Sequence, residues 1–408
     1  MIKRRLTKKP EVKQPQFRTR PLNRECDCNF VNIRQFEAVH ISRVKISNFR
    51  NIAELEFSPQ PSVNLIGGPN GSGKTSIIEA IFFACTARSF RSATDDVLLR
   101  KTADICRIEV DGIVNGRETG IEIAWGRSNK RQIKVDGVKL TRVADLFDYF
   151  HAVPYIPEDT ELIYGAPTVR RRLLDLYLSQ ADKSYLNDLL EYNRILAQRN
   201  SLLKEFEIGE DSPSDYEMLD VWDGQLAAVG ARINGKRLAM IVAAKDPLAL
   251  YYRTIESGES VLSWKYESSI AGDPSSQAAF LQKLASSRKR DLYMGSTSAG
   301  PHRDDVSIDL NGEPMRGYAS QGEAKSAALA IKFAIYDYLT GRLHDAPLLL
   351  LDEISSDLDP NRLAALMQTL PKLGQVFLTT AKPAELRETA SIQAEIAVAA
   401  GKLLIGES

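Results

Sequence analysis

The stretch Gly68-Pro69-Asn70-Gly71-Ser72-Gly73-Lys74-Thr75-Ser76 stands between an apolar run, "SVNLIGG", and a helical run from Thr75 to about Ala87. Few folds accept that order. A strand, a glycine-rich turn and a helix start confine the chain to an α/β sheet with a loop at the strand's C-terminal end. The glycines let consecutive N–H groups turn inward on phosphate oxygens, Lys74 reaches the β and γ phosphates, and the Thr75 hydroxyl is placed for Mg²⁺. A glycine-rich turn without a ligand would leave Lys74 unexplained. A nucleotide and Mg²⁺ are therefore the expected ligands, with residues 68–76 as the nucleotide-binding loop.

A second segment, "LLLLDEISSDLDP", reads as a buried parallel strand that delivers Asp352 and Glu353 to the crevice where such sheets bind ligands. Asp352, with Thr75, is expected in the Mg²⁺ shell, and Glu353 is placed to polarise an attacking water. Lys74, Asp352 and Glu353 form the expected catalytic set. An apolar run ending in two acids is often just a strand meeting solvent, but the loop at residues 68–76 turns the odds.

A third segment, "GYASQGEAKSAALAIKFA", opens as a capped helix, with Ser320 as N-cap and Glu323 as its capping-box partner. The Ser320-Gln321-Gly322-Glu323 turn carries small and polar residues where a packed core needs none.

Elsewhere, "VHISRVKISNF" and "IAELEFS" alternate as strands, and Asn115-Gly116, Asp136-Gly137 and Asn311-Gly312 mark hairpins. Residues 169–294 read as almost wholly helical. Residues 1–38 are rich in Lys, Arg, Pro and Gln without periodicity and read as a disordered basic tail, either a DNA-binding arm or a dispensable extension. The expected boundaries are 1–38 for the tail, 39–155 for the first part of a head, 156–294 for a helical lobe, and 295–408 for the rest of the head. Lys+Arg and Asp+Glu balance at 53 each, so any nucleic acid must be held by local patches. No run approaches the roughly 18–20 apolar residues of a membrane span, and a cytoplasmic location is expected. Four cysteines, including the close pair Cys26 and Cys28, make neither a disulfide framework nor a zinc site.

The three segments together resemble the Walker A, signature, Walker B and D-loop series of ABC-type ATPases. About 245 residues separate Lys74 from Ser320, too many for a transporter subunit and too few for an SMC protein. "ISNFRNI", "SIIEAIFF", "RSFR", "IPEDTELIYGAPTVRRRLLD", "YLNDLLEYNRILAQRNSLL" and "GPHRDD" resemble the RecF family of DNA replication and repair proteins from about Val39 onward. The resemblance implies an α/β fold: an ABC-type P-loop ATPase head with an antiparallel β subdomain and an inserted helical lobe. It implies an ATP-driven homodimer in which Ser320, Gln321, Gly322 and Glu323 of one subunit cap the ATP of the other, beside D-loop residues Ser356, Asp357 and Asp359. It also implies weak, DNA-stimulated ATP hydrolysis, binding at gaps or single-stranded/double-stranded junctions in DNA, nucleoid association, and work with RecO and RecR to seat the RecA recombinase.

This chain departs from the family pattern in three places. The family commonly shows two Asp where Asp352-Glu353 stand, so Asp352 remains a rival base. Thr379 or Thr380 occupies the switch position where the wider class has His. No Q-loop glutamine is identified, and Pro157-Glu158-Asp159 fills the region expected for it. Arg88, Arg91, Arg170, Arg171 and Arg172 are the DNA-contact candidates, while Arg288–Arg290 and the Arg170–Arg172 run also suit solvated helix faces. "GPHRDD" also suits a turn that fixes the following strand. The rival functions are a transport ATPase subunit, opposed by the long helical insert, and a nucleotide-dependent scaffold that scarcely hydrolyses ATP, opposed by Glu353.

Overall fold

The computed structural model describes residues 39–91, 94–127, 129–205, 213–387 and 392–404, so the basic tail with Cys26 and Cys28 lies outside the described residues. The first sheet is antiparallel, in the order Ile52–Phe57, His40–Phe49, Ile105–Val114, Arg117–Gly126, Gln132–Val135 and Val138–Lys139. Its hairpins turn at Asn115-Gly116 (φ 51° and 71°) and Asp136-Gly137 (φ 50° and 78°). Positive φ at both central residues is the twist-matched hairpin geometry that Asn-Gly and Asp-Gly favour.

The second sheet is parallel apart from a terminal hairpin, in the order Lys402–Leu403, Ala394–Ala399, Val63–Gly67, Val376–Thr380, Leu348–Leu351 and Ala152–Tyr155. Every residue of its four strands Val63–Gly67, Val376–Thr380, Leu348–Leu351 and Ala152–Tyr155 is buried, which explains their mostly apolar character; the exceptions Asn64, Thr379 and Thr380 are all hydrogen-bonded. Between the two sheets lies the helix Lys74–Thr86, where every residue but Thr75 is buried. This mostly apolar helix is covered on all sides, and Ile77, Ile81, Phe82 and Phe83 join both sheets into one core. Trp125 closes it, with its ring 5.0 Å from that of Phe83. Cys85 and Cys106 are free and buried in this core.

The middle of the chain supplies helices Pro167–Ala181, Lys183–Glu205, Pro213–Ala243, Lys245–Glu256 and Gln277–Met294. It also contains a strand, Leu262–Glu267, in the stretch expected to be almost wholly helical. Leu262, Trp264 and Tyr266 are buried while Lys265 and Glu267 are exposed, a two-residue period that suits a sheet with one covered face. This strand pairs with Asp305–Leu310, which continues through the Asn311-Gly312 turn to Glu313–Pro314. Buried ion pairs tie the helices: Arg199 to Asp223 (2.6 Å) and Asp291 (2.9 Å), and Arg237 to Asp175 (2.6 Å).

One more buried pair joins the second sheet to these helices. Ala152–Tyr155 leads into a tight turn, Pro157–Thr160, whose Asp159 meets Lys332 at 2.8 Å in the middle of the helix Gln321–Leu343. Lys332 Nζ also lies 5.8 Å from the centre of the Tyr177 ring. Asp159 accepts a hydrogen bond from the Ile156 N–H as well (2.8 Å).

Removing one partner of such a pair strands a buried charge. Lys332→Met should therefore destabilise the protein by about 3–5 kcal/mol in a denaturant titration. Adding Asp159→Asn, which keeps the bond to Ile156 and removes the orphaned charge, should recover a measurable part; a double variant no more stable than Lys332→Met would contradict this account. The second expectation concerns pH. Burial holds His151 and His302 down to about 4 from the ordinary 6.5. Below pH 6.5 the unfolded chain then binds protons that the native state refuses, so stability is lost as pH falls from about 6.5 towards 4. Asp337, pushed up to about 6 by burial, contributes the opposite slope, so the test is a difference. Wild type should lose more of its melting temperature over that interval than a His151→Gln, His302→Gln variant, and equal losses would contradict the assignment.

Candidate nucleotide site

The strand Val63–Gly67 ends in a turn that needs glycine at Gly68 and Gly73. A Cβ at Gly68 would stand 2.1 Å from the Val398 carbonyl oxygen, and Gly73, at φ 113°, holds the start of the helix in a conformation that L side chains rarely adopt. The helix begins at Lys74, one residue before the expected start. Lys74 is buried, and its ammonium donates to the carbonyls of Gly68 (2.9 Å) and Pro69 (3.1 Å). The same ammonium meets Glu353 Oε1 at 2.8 Å.

Parallel pairing of Leu348–Leu351 with Val376–Thr380, and of that strand with Val63–Gly67, aligns the three C-terminal edges. Asp352 and Thr379 therefore arrive beside Thr75. Asp352 Oδ1 accepts from the Thr75 hydroxyl (3.1 Å) and the Thr379 hydroxyl (2.6 Å). Burial, more than any other influence, raises the Asp352 carboxyl above the ordinary carboxylate range. Thr379 Oγ1 in turn accepts from the Glu353 N–H (2.8 Å), so one hydroxyl ties both acids. Thr380 takes a different partner, Ser355 (2.6 Å). Of the D-loop residues, Ser356 donates to the Glu353 carbonyl (2.7 Å) and Asp359 caps the helix Pro360–Thr369. The Asp357 side chain lies outside the described residues.

A cavity of about 1060 Å³ opens over this cluster, bordered by Asn70, Lys74, Thr75, Arg91, Pro157 and Glu353. Thr75 Oγ1 and Asp352 Oδ1 form a hard-oxygen pair of the kind Mg²⁺ accepts alongside phosphate oxygens, so the donor set fits that ion. Ser320, Gln321, Gly322 and Glu323 are not among the residues that border the cavity. The Ser320 hydroxyl accepts from the Glu323 N–H (3.3 Å) and donates to the Glu323 carboxylate (2.8 Å), while the Ser320 N–H donates to the same carboxylate (2.8 Å). The reciprocal cap expected from the sequence is thus complete. The Ser320 N–H, and then its hydroxyl, hold the Glu323 carboxyl below its ordinary range.

Two contributors carried no assigned role in the sequence. Asn51, from "ISNFRNI", donates to the Gly71 carbonyl (3.1 Å) and accepts from the Ser76 hydroxyl (3.0 Å), fastening the loop to the first sheet. Its neighbour Arg50 pairs with the fully buried Glu79 at 2.6 Å. Only the position of Asn51 inside the "ISNFRNI" stretch pointed towards it, because the contact spans about 20 residues and follows no period.

The arginine candidates separate. Arg170, a DNA-contact candidate that also suited a solvated helix face, is buried: its guanidinium forks onto Asp305 (2.7 and 2.8 Å) and donates to the Leu162 and Gly165 carbonyls, which leaves it no exposed face and corrects both readings. Arg171 is half-buried and donates to the Asp304 carbonyl (2.8 Å). Arg172 is exposed, as are Arg88 and Arg91. Arg288, in the cluster read as a solvated face, pairs with Asp223 (2.7 Å). Among the described residues no helix is long and apolar enough to cross a membrane.

The family profile described as "RecF/RecN/SMC N terminal domain" matches residues 40–402. The DNA replication and repair protein RecF of Geobacter metallireducens is 39% identical over 362 residues, covering 85% of this chain and 94% of the relative. That of Lachnoclostridium phytofermentans is 32% identical over 340 residues, covering 83% and 92%. The structure is similar to that of the recombination mediator protein RecF-ATP in the RecFOR pathway, with a TM-score of 0.81 and 29% identity over 90% of this chain and 98% of the other. The Smc head domain of Pyrococcus furiosus, at 17% identity and a TM-score of 0.53 over 90% of this chain and 96% of that one, shares the fold. With a family profile spanning the P-loop, the inserted lobe and the Leu348–Leu351 strand alike, and relatives matched over most of both chains, this chain is a member of the RecF family of SMC-like ABC-type ATPases.

Proposed function

We propose that the chain is an ATP-dependent DNA-binding protein of replication and repair, which dimerises on gapped or junction DNA when ATP is bound and hydrolyses that ATP slowly. The observation that carries this reading is the meeting of Lys74, Thr75 and Glu353 at the edge of one cavity, with Asp352 bonded to Thr75 behind them, from segments about 280 residues apart. Membership of the RecF family supports the cellular role, and the RecFOR pathway named for one similar structure supports work beside RecO and RecR, with the RecA recombinase as the protein they would together seat.

In this reading the Lys74 ammonium leaves Glu353 and faces the β and γ phosphates. Thr75 and Asp352 would hold Mg²⁺, which neutralises charge on the phosphates when bound. Glu353, released from Lys74, takes the proton of the attacking water. Thr379 keeps Asp352 and the backbone of Glu353 in register through its two hydrogen bonds. Ser320 and the Gly322 N–H cap the phosphates held by a second copy of the chain, because a helix N-terminus concentrates unpaired N–H groups and positive potential. Arg88, Arg91 and Arg172 are the exposed candidates for phosphate contacts with DNA.

Glu353→Gln should retain Mg²⁺-ATP but lose about 10²–10⁴ in hydrolysis rate, read as phosphate release, because an amide cannot accept the proton. Wild-type turnover in that variant would move the base to Asp352 or Asp357. The dimer arrangement has its own test. Ser320→Arg should bind ATP as a monomer yet fail to dimerise in light scattering, while Lys74→Ala should lose both. Mixing the two should restore part of the ATP-driven dimerisation, since one of the two composite sites is then intact on both faces. Ser320→Arg that dimerises with ATP would contradict the arrangement.

A further inference from the structure

Three helix ends meet at the turn Ser320–Glu323, and each brings a carboxylate. Glu256 ends the helix Lys245–Glu256, Asp359 caps Pro360–Thr369, and Glu323 belongs to the turn itself. One guanidinium stands among them. Arg362 Nη2 meets Glu256 Oε2 at 2.6 Å, and Nε meets Asp359 Oδ2 at 3.2 Å. Its remaining nitrogen, Nη1, lies against Gly322, so close that a Cβ there would stand 3.0 Å away. A cation at a helix N-terminus opposes the helix dipole, whereas the carboxylates suit that end but repel an incoming phosphate that would use the same N–H groups. Glu256 Oε1 is in addition buried with no hydrogen-bond partner among the described residues.

We propose that Arg362 is the charge-compensating residue of the signature turn: it neutralises the surrounding carboxylates so that the turn accepts the phosphates of ATP held by a second copy of this chain. The inference rests on the dimer arrangement proposed above. Without Arg362 the turn would present three uncompensated negative charges to an anion; with it, Glu256 and Asp359 are both engaged, and Gly322 leaves the guanidinium space beside the N–H groups. The absence of a side chain at position 322 thus serves the arginine of the same chain. Arg362 is not placed on the reacting atoms, and its effect is on the affinity between copies.

The test measures ATP-driven dimerisation of the full chain with Mg²⁺ by analytical ultracentrifugation, alongside ATP affinity at protein concentrations below dimerisation. Arg362→Ala should weaken the dimer by about tenfold, the scale of one unscreened charge several ångströms from a phosphate, with ATP affinity unchanged. Added salt should narrow that defect. Arg362→Lys, which restores the charge without the fork, should recover most of it. The sharpest result is a sign: Arg362→Ala combined with Glu256→Gln should dimerise better than Arg362→Ala alone, since one carboxylate is removed. Glu256→Gln alone should dimerise at least as tightly as wild type, which keeps the proposal testable should Arg362→Ala fold poorly. A double variant no better than the single, or Arg362→Lys as impaired as Arg362→Ala, would overturn the proposal and leave a structural clamp. If Ser320→Arg still dimerises with ATP, the dimer arrangement itself fails; if it does not, while Arg362→Ala matches wild type, only the role of Arg362 fails.

Discussion

Parallel pairing between strands more than 300 residues apart in sequence is the constraint on which the rest depends. Val376–Thr380 pairs with Val63–Gly67 on one side and Leu348–Leu351 on the other, with Thr380 opposite Gly67 and Leu378 opposite Leu351. The register matters because side chains alternate across a sheet: a one-residue slip would turn Thr379 away from Asp352. In register, the glycine-rich loop, the two acids and the threonine hydroxyl share one edge, as ligand sites of open α/β sheets do. Such pairing has a large loop-closure cost, and the strands meet it by burying every side chain they carry.

The helix Lys74–Thr86 turns that sheet edge into a rigid site. It is clamped between two sheets, so Lys74 and Thr75 project from a backbone with little freedom to shift. Asn51 adds a second fastening from the antiparallel sheet, bonded to both the loop and the helix start. The turn Pro157–Thr160 extends the same logic outward. Pro157 borders the cavity while Asp159, two residues on, is locked to Lys332 in the helix that begins at Ser320. One short, buried ion pair therefore joins the cavity wall to that helix. Arg199 and Arg237 are likewise buried with carboxylate partners, and the buried Asp304 with the Tyr266 and Ser268 hydroxyls and the Ser269 N–H, which are conditions under which burial is tolerable.

What the sequence by itself determined was local. Gly68–Thr75, Leu348–Glu353 and the Ser320/Glu323 cap were legible because each is a contiguous pattern with its own backbone geometry, and the Asn-Gly and Asp-Gly turns for the same reason. The resemblance to the RecF family also rested on contiguous stretches. Only the tertiary structure decided which side chains those patterns would meet. Arg170 reads as part of an exposed basic run until Asp305 and two carbonyls enclose it. Leu262–Glu267 reads as part of a helical region until Asp305–Leu310 provides a partner strand. The linkage of Thr379 to both acids, the hold of Asn51 on the loop and the place of Arg362 beside Gly322 follow no period and no spacing. Each arises from packing between elements distant in sequence, where pairwise geometry, not residue type, selects the partner.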